Sequence, residues 1–180
     1  FDLNPEVEKI LTDKVLLYRE EGADDLLKNH NIKYENISNV VKNSDIIFVP
    51  IQTPHSPRYE GVTRLPEDKV DFDYTWLIEG MSTLSEEIEK NGEDKVVIII
   101  STVLPGTIRR DIKPLLGKHT KLCYNPFFIA MGTTIQDFLN PEFILFGSKD
   151  KRASKYVKRF YETLHNKPFY QTSIKNAELI

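Results

Sequence analysis

Short apolar, β-branched runs alternate along the chain with longer stretches in which apolar residues recur at helical spacing. That alternation predicts an α/β fold with a mainly parallel, doubly wound sheet and helices on both faces. The longest helix is expected over 71–90, where Tyr74, Leu77, Ile78, Met81, Leu84 and Ile88 share one face and Asn91-Gly92 supplies the stop. The strongest strand is expected over 95–100. It reads KVVIII, a continuous apolar run that implies burial on both faces. Further strands are expected over 45–50, 121–124, 142–146 and 168–171, with a weak one at 32–34, and Phe1-Asp2 reads as the end of another. Shorter helices are expected from Pro5 (capped by Asn4), over 24–29, from Ser38 to Lys42, from Thr107 to about Leu116, over 150–165, and from Thr172 or Ser173 onward. Residues 52–70, with Pro54, Pro57, Gly61 and Pro66, read as a long polar loop of a length that more often serves a function than not.

In a sheet of this kind ligands bind beyond the carboxyl ends of the strands. Four places qualify: Asp2, the loop after Val49, the loop after Ile100 and the loop after Tyr124. An acidic side chain at Asp2 suits the hydroxyls of a ribose, although a solvated loop aspartate is the commoner case. Ser101, Thr102 and Thr107 follow the strongest strand and open a helix. Either their hydroxyls and the helix amides receive a polar or anionic ligand, or Thr107 simply caps the helix; spacing alone leaves both readings open. The run from Phe127 to Met131 is apolar enough to belong to the core.

Composition narrows the partners. With 40% hydrophobic and 28% charged residues, a net charge of −3 and a pI near 5.9, the chain reads as an ordinary globular domain with no basic surface for nucleic acid. The longest apolar run, 96–100, is far too short to span a bilayer, so no membrane role is expected. The four histidines are scattered without metal-ligand spacing, and no metal site is expected. The single cysteine, Cys123, permits no intrachain disulfide, which fits a reducing cytoplasm.

Taken in order, Asp2-Leu3-Asn4-Pro5, Gln52-Thr53-Pro54, Ser101-Thr102-Val103-Leu104-Pro105-Gly106-Thr107, Tyr124-Asn125-Pro126, Gly132-Thr133, Asp137, Asn140-Pro141 and Asn176-Ala177-Glu178-Leu179-Ile180 resemble the UDP-glucose/GDP-mannose dehydrogenase family over essentially the whole chain. The resemblance implies a Rossmann-like NAD-binding domain over 1–180, with 1–2 as the stub of a second strand and 174–180 as the start of a helix leading to a dimerisation domain. It implies an enzyme that oxidises the C6 alcohol of a UDP- or GDP-linked sugar, assembled as a homo-oligomer. Asp2 would then hold the adenosine ribose of NAD. Ile51, Gln52, Thr53, Pro54 and His55 would line the cofactor, with Ser101 and Thr102 at the nicotinamide side. Thr102 would face the reacting centre, and Phe127, Phe128, Ile129, Ala130 and Met131 would run along the sugar.

Three departures from the family pattern shape the expectation. The glycine-rich first βα unit, about 30 residues in such folds, is not in this sequence, so the N-terminus reads as a cut, and the gap left by the missing central strand is expected to be closed or hidden in an oligomer. The family lysine falls one residue past Ile180, and Cys123 does not occupy the position of the family cysteine. Phe127 and Met131 stand where the family has glutamates. A piece inactive by itself is therefore expected. A non-catalytic module binding a nucleotide or nucleotide sugar is the alternative.

Overall fold

The computed structural model describes residues 1–60, 64 and 66–180. Five strands form one sheet in chain order: β1 (Ile46–Val49), β2 (Lys95–Ile99), β3 (Thr120–Tyr124), β4 (Ile144–Gly147) and β5 (Phe169–Thr172). β1, β2 and β3 run parallel, with Ile46 opposite Val96 and Ile98 opposite Cys123. β4 reverses, meeting β3 through the single pair Tyr124–Gly147, and β5 runs parallel to β4. The sheet is mainly parallel, as the alternation predicts. The reversal leaves no trace in the hydrophobic period, because β4, buried throughout, reads the same in either direction.

The helices are α1 (Pro5–Asp13), α2 (Ala23–Asn29), α3 (Ile37–Asn43), α4 (Thr75–Asn91), α5 (Thr134–Leu139), α6 (Lys151–Glu162) and α7 (Ile174–Ala177). On one face, Leu77, Met81 and Ile88 of α4, Val41 of α3 and Ala177 of α7 join Ile47, Val49, Val97 and Ile99. On the other, Val157 and Tyr161 of α6 cover Val96, Ile98, Cys123 and Phe146. All of β2 is therefore buried, including Lys95, whose ammonium reaches Glu93 at 3.2 Å. The sheet is doubly wound.

Several local expectations are corrected. Phe1-Asp2 and 32–34 form no strand. A strand needs a neighbour to receive its backbone hydrogen bonds, and the outer edge of β1 has no partner among the described residues. Asp2 instead closes a turn, accepting from the Asn4 amide at 2.8 Å, while the Tyr34 hydroxyl donates to its carbonyl at 2.6 Å. Asn36, not Ser38, caps α3 by accepting from the Asn39 amide at 2.9 Å. Ser38 donates to Glu87 of α4 instead. α4 starts at Thr75 rather than Asp71, because the Asp71 and Asp73 carboxylates accept from the Phe72 and Thr75 amides and hold this stretch in turns. α5 was not expected. Of the long loop, Pro57–Tyr59 forms one 3₁₀ turn, and Gly61 lies outside the described residues.

Candidate functional site

β1 and β2 end side by side, and their loops are stitched together. Ser101 is buried, and its hydroxyl donates to the Val49 carbonyl at 3.2 Å. The Thr53 hydroxyl donates to the Thr102 carbonyl at 2.6 Å. Both bonds tie the loop after β2 to the end of β1, and they leave the side chain of Thr102 exposed at the carboxyl edge of the sheet. Of the residues expected to line a cofactor, Gln52, Pro54 and His55 are exposed beside this seam. Ile51 is only half-buried, and its side chain packs against Gly80 of α4. Asp2 is exposed and occupied with its own turn.

The loop continues into a tightly held segment. The Tyr74 hydroxyl accepts from the Leu104 amide at 2.9 Å, and burial raises that phenol. Gly106 sits at φ 97°, a backbone conformation in which a Cβ is strained. Thr107 is itself helical and makes no side-chain capping bond, which corrects its assignment as the N-cap. The cap comes from across the molecule. The buried Glu178 carboxylate, just after α7, accepts from the Gly106 amide at 2.9 Å and the Ile108 amide at 2.8 Å. The helix expected from Thr107 to Leu116 is a π turn, Ile108–Ile112, followed by a 3₁₀ turn, Lys113–Leu115. Pro114 has no N–H to continue an α-helical ladder. These amides are therefore not available to an anion, and the anion reading of this helix start is set aside. No local signal pointed to Glu178, which lies 70 residues beyond the amide of Ile108.

Tyr124 and Asn125 close β3. Asn125 is 1% exposed. Its Nδ2 donates to the Leu145 carbonyl at 2.8 Å and its Oδ1 accepts from the Tyr161 hydroxyl. The loop beyond borders a cleft of about 410 Å³ lined by Phe127, Phe128, Ile129, Phe138, Asn140 and Phe143, among others. Phe127 turns onto Phe138 with ring centroids 5.4 Å apart and packs on the core beneath α6. Phe128 pairs with Phe143, also at 5.4 Å. Ala130 and Met131 face outward, Met131 being 98% exposed. The end of this loop is clamped by Glu20, Glu21 and Asp137. Glu20 accepts from the Gly132 amide at 2.9 Å, and the Glu21 amide donates to the Gly132 carbonyl at 3.1 Å. Asp137 accepts from the Ala130 amide at 2.9 Å.

Cys123 lies in β3, fully buried, with Ser148 near its sulfur, and burial pushes the thiol up to about 12. A thiol with that environment carries almost no thiolate near neutrality. Iodoacetamide at about pH 8 is expected to label it at least ~100-fold more slowly in the folded protein than in urea. Equal rates would show that the strand opens readily. Among the described residues no group of three or more His, Cys, Asp or Glu could hold a metal ion, and no helix is long and apolar enough to cross a membrane.

The comparisons with known proteins agree with this fold. The model of the UDP-glucose/GDP-mannose dehydrogenase family, NAD binding domain, matches residues 2–165. An uncharacterized protein of Methanocaldococcus jannaschii is 31% identical over 169 residues, covering 89% of this chain and 18% of that protein. The UDP-glucose 6-dehydrogenase of Rickettsia conorii is 28% identical over 177 residues, covering 94% of this chain and 38% of that enzyme. The solved UDP-glucose dehydrogenase of Pyrobaculum islandicum superposes with a TM-score of 0.82 at 23% identity, over 99% of this chain and 41% of that one, and shows the fold to be Rossmann-like. The chain thus spans well under half the length of these relatives. With its doubly wound sheet and its stitched strand-end loops, it belongs to the UDP-glucose/GDP-mannose dehydrogenase family, as an NAD-binding domain of that family.

Proposed function

We propose that the protein carrying this chain is an NAD-dependent nucleotide-sugar 6-dehydrogenase of the cytoplasm, oxidising the C6 alcohol of a UDP- or GDP-linked sugar as a homo-oligomer. In this reading residues 1–180 are its Rossmann-like cofactor domain. The observation that carries the reading is the seam between the two strand-end loops, where the Thr53–Thr102 bond holds an exposed threonine at the ligand edge of the sheet. In this reading the exposed Thr102 stands at the nicotinamide end of NAD, with Gln52, Pro54 and His55 along its side, and Thr53 and the buried Ser101 hold the loop behind it. The Gly106 and Ile108 amides offer the pyrophosphate no cradle, since Glu178 occupies them. NAD, when bound, supplies the hydride acceptor. Thr102 would orient the sugar hydroxyl, and 127–131 would line the sugar, with Phe128 and Ile129 at the cleft.

These 180 residues are not expected to turn over alone, because their single thiol is buried and protonated. Calorimetric titration of the 180 residues with NAD is expected to give a Kd weaker than about 1 mM. The deciding test uses the whole protein with NAD and a panel of UDP- and GDP-linked sugars, with NADH formation and product mass followed together. Thr102→Val is expected to lower kcat by about 10²-fold. No NADH with any sugar would defeat the reading.

A second reading, a non-catalytic nucleotide or nucleotide-sugar binding module, is favoured by Phe127. Its ring is spent on packing against Phe138, and neither it nor Met131 offers a carboxylate for acid/base work. The same panel separates three cases: binding without NADH, oxidation stopping at the aldehyde, and oxidation to the acid.

A further inference from the structure

We propose that Glu178 is a positioning residue for the loop that presents Thr102, so that α7 and the strand-end seam act as one rigid unit. The inference rests on the reading of Thr102 as the residue facing the reacting alcohol. The loop over 101–108 is anchored from three separate elements, the end of β1, the start of α4 and the end of α7. Ser101 is tied to the end of β1, and the Thr102 carbonyl is tied to Thr53. The Leu104 amide is tied to Tyr74 at the start of α4, and the Gly106 and Ile108 amides are tied to Glu178 behind α7. Glu178 is the anchor that is both charged and buried, at 7% exposure. A carboxylate accepting two amides forms bonds about twice as strong as neutral ones. It satisfies two backbone amides of the turn in which Gly106 sits at φ 97°.

The location of Glu178 is fixed from its own side. Ser173 caps α7 by accepting from the Asn176 amide at 3.1 Å, and Ala177 is buried in the core. α7 lies directly on β4, where a Cβ built on Gly147 would come within 2.8 Å of the Ile174 backbone. The carboxylate therefore reaches the loop from a rigid base. Two consequences follow. A nucleotide phosphate cannot use the Gly106 and Ile108 amides without displacing Glu178. Any shift of α7 is passed to the loop and so to Thr102.

The test uses the protein carrying this chain, with Glu178→Ala and Glu178→Gln. Amide exchange at Gly106 and Ile108 is expected to speed up by at least ~100-fold in Glu178→Ala and by less in Glu178→Gln, which keeps one acceptor oxygen. kcat is expected to fall by about 10–100-fold in Glu178→Ala with a smaller change in KM, and Glu178→Gln is expected to recover part of the loss. Unchanged exchange at both amides would overturn the cap. Faster exchange with unchanged kcat would overturn the positioning role and leave Glu178 a purely structural cap. If the wild type oxidises no nucleotide sugar, the functional reading fails by itself. Exchange at the Val103 and Leu104 amides then decides whether Glu178 holds the loop, since protection there unaltered by Glu178→Ala would sink the inference.

Discussion

Asn125→Ala is expected to lower the unfolding free energy by about 3–5 kcal/mol, the sum of two buried polar groups left without partners at roughly 1–3 kcal/mol each plus lost packing. The reason lies in the seam between β3 and β4. Elsewhere in the sheet four or five residue pairs join each strand to the next, but here the ladder is one pair, Tyr124–Gly147. The Asn125 side chain makes the connection that the ladder does not. Its amide donates to Leu145 of β4, and its oxygen receives the hydroxyl of Tyr161 from α6. The Asn125 backbone amide continues the β2–β3 ladder to the Ile99 carbonyl at 2.9 Å, so one residue joins three strands and a helix.

Tyr161→Phe removes only the donor to Oδ1, and about 1–2 kcal/mol is expected. The double variant should cost less than the sum of the two, because both singles orphan the same oxygen–hydroxyl contact. Asn125→Asp does not rescue, since a carboxylate has no proton to give the Leu145 carbonyl and is itself costly to bury. Urea titration of the four proteins at equal m-value measures each step. A midpoint shift for Asn125→Ala equivalent to less than about 1 kcal/mol would mean that apolar packing of Phe146 and Val157 alone holds the seam.

The sequence made the frame of this fold legible and hid its fastenings. The KVVIII run and the α4 stripe report burial directly, because a buried strand and an amphipathic helix each impose a period on the residues themselves. Caps and seams impose none. Ser38 and Thr107 have the chemistry of N-caps, yet Asn36 and Glu178 do the capping. One was misplaced by two residues. The other was supplied from 70 residues away, where no local pattern can point. The missed α5 is six residues long, too short for a period to emerge. Phe1-Asp2 has a strand's composition, but strand formation depends on a neighbour as much as on the segment. The candidate site divides in the same way. Motif order brought out Thr53, Ser101, Thr102 and Asn125. Only the geometry shows that Ser101 and Asn125 spend their polar atoms inside the protein, whereas Thr102 is exposed at the carboxyl edge of the sheet. Phe127 read either as core or as substrate contact. Its ring packs on the core beside the cleft rather than standing free in it.

Gly147→Val is expected to cost about 2–4 kcal/mol and to loosen a loop that it does not touch. Gly147 ends β4 beneath α7. A Cβ there would meet the Ile174 Cα at 2.8 Å and the Ala177 Cβ at 2.9 Å, and the first of these is backbone that cannot rotate aside. α7 must lift, and Glu178 lifts with it. The Gly106 and Ile108 amides then lose their acceptor, although residue 147 makes none of their bonds. Gly147→Ala needs a smaller retreat of the helix and should give a graded, weaker version of the same result. The signature is a pattern rather than a magnitude. Exchange at Gly106 and Ile108 should accelerate more than exchange at Asn125, whose amide is held by β2 on the far side of the seam. Uniform acceleration at all three would mean that Gly147 supports global stability alone. Acceleration confined to the loop would show that α7 reaches the Thr102 loop through the Glu178 carboxylate.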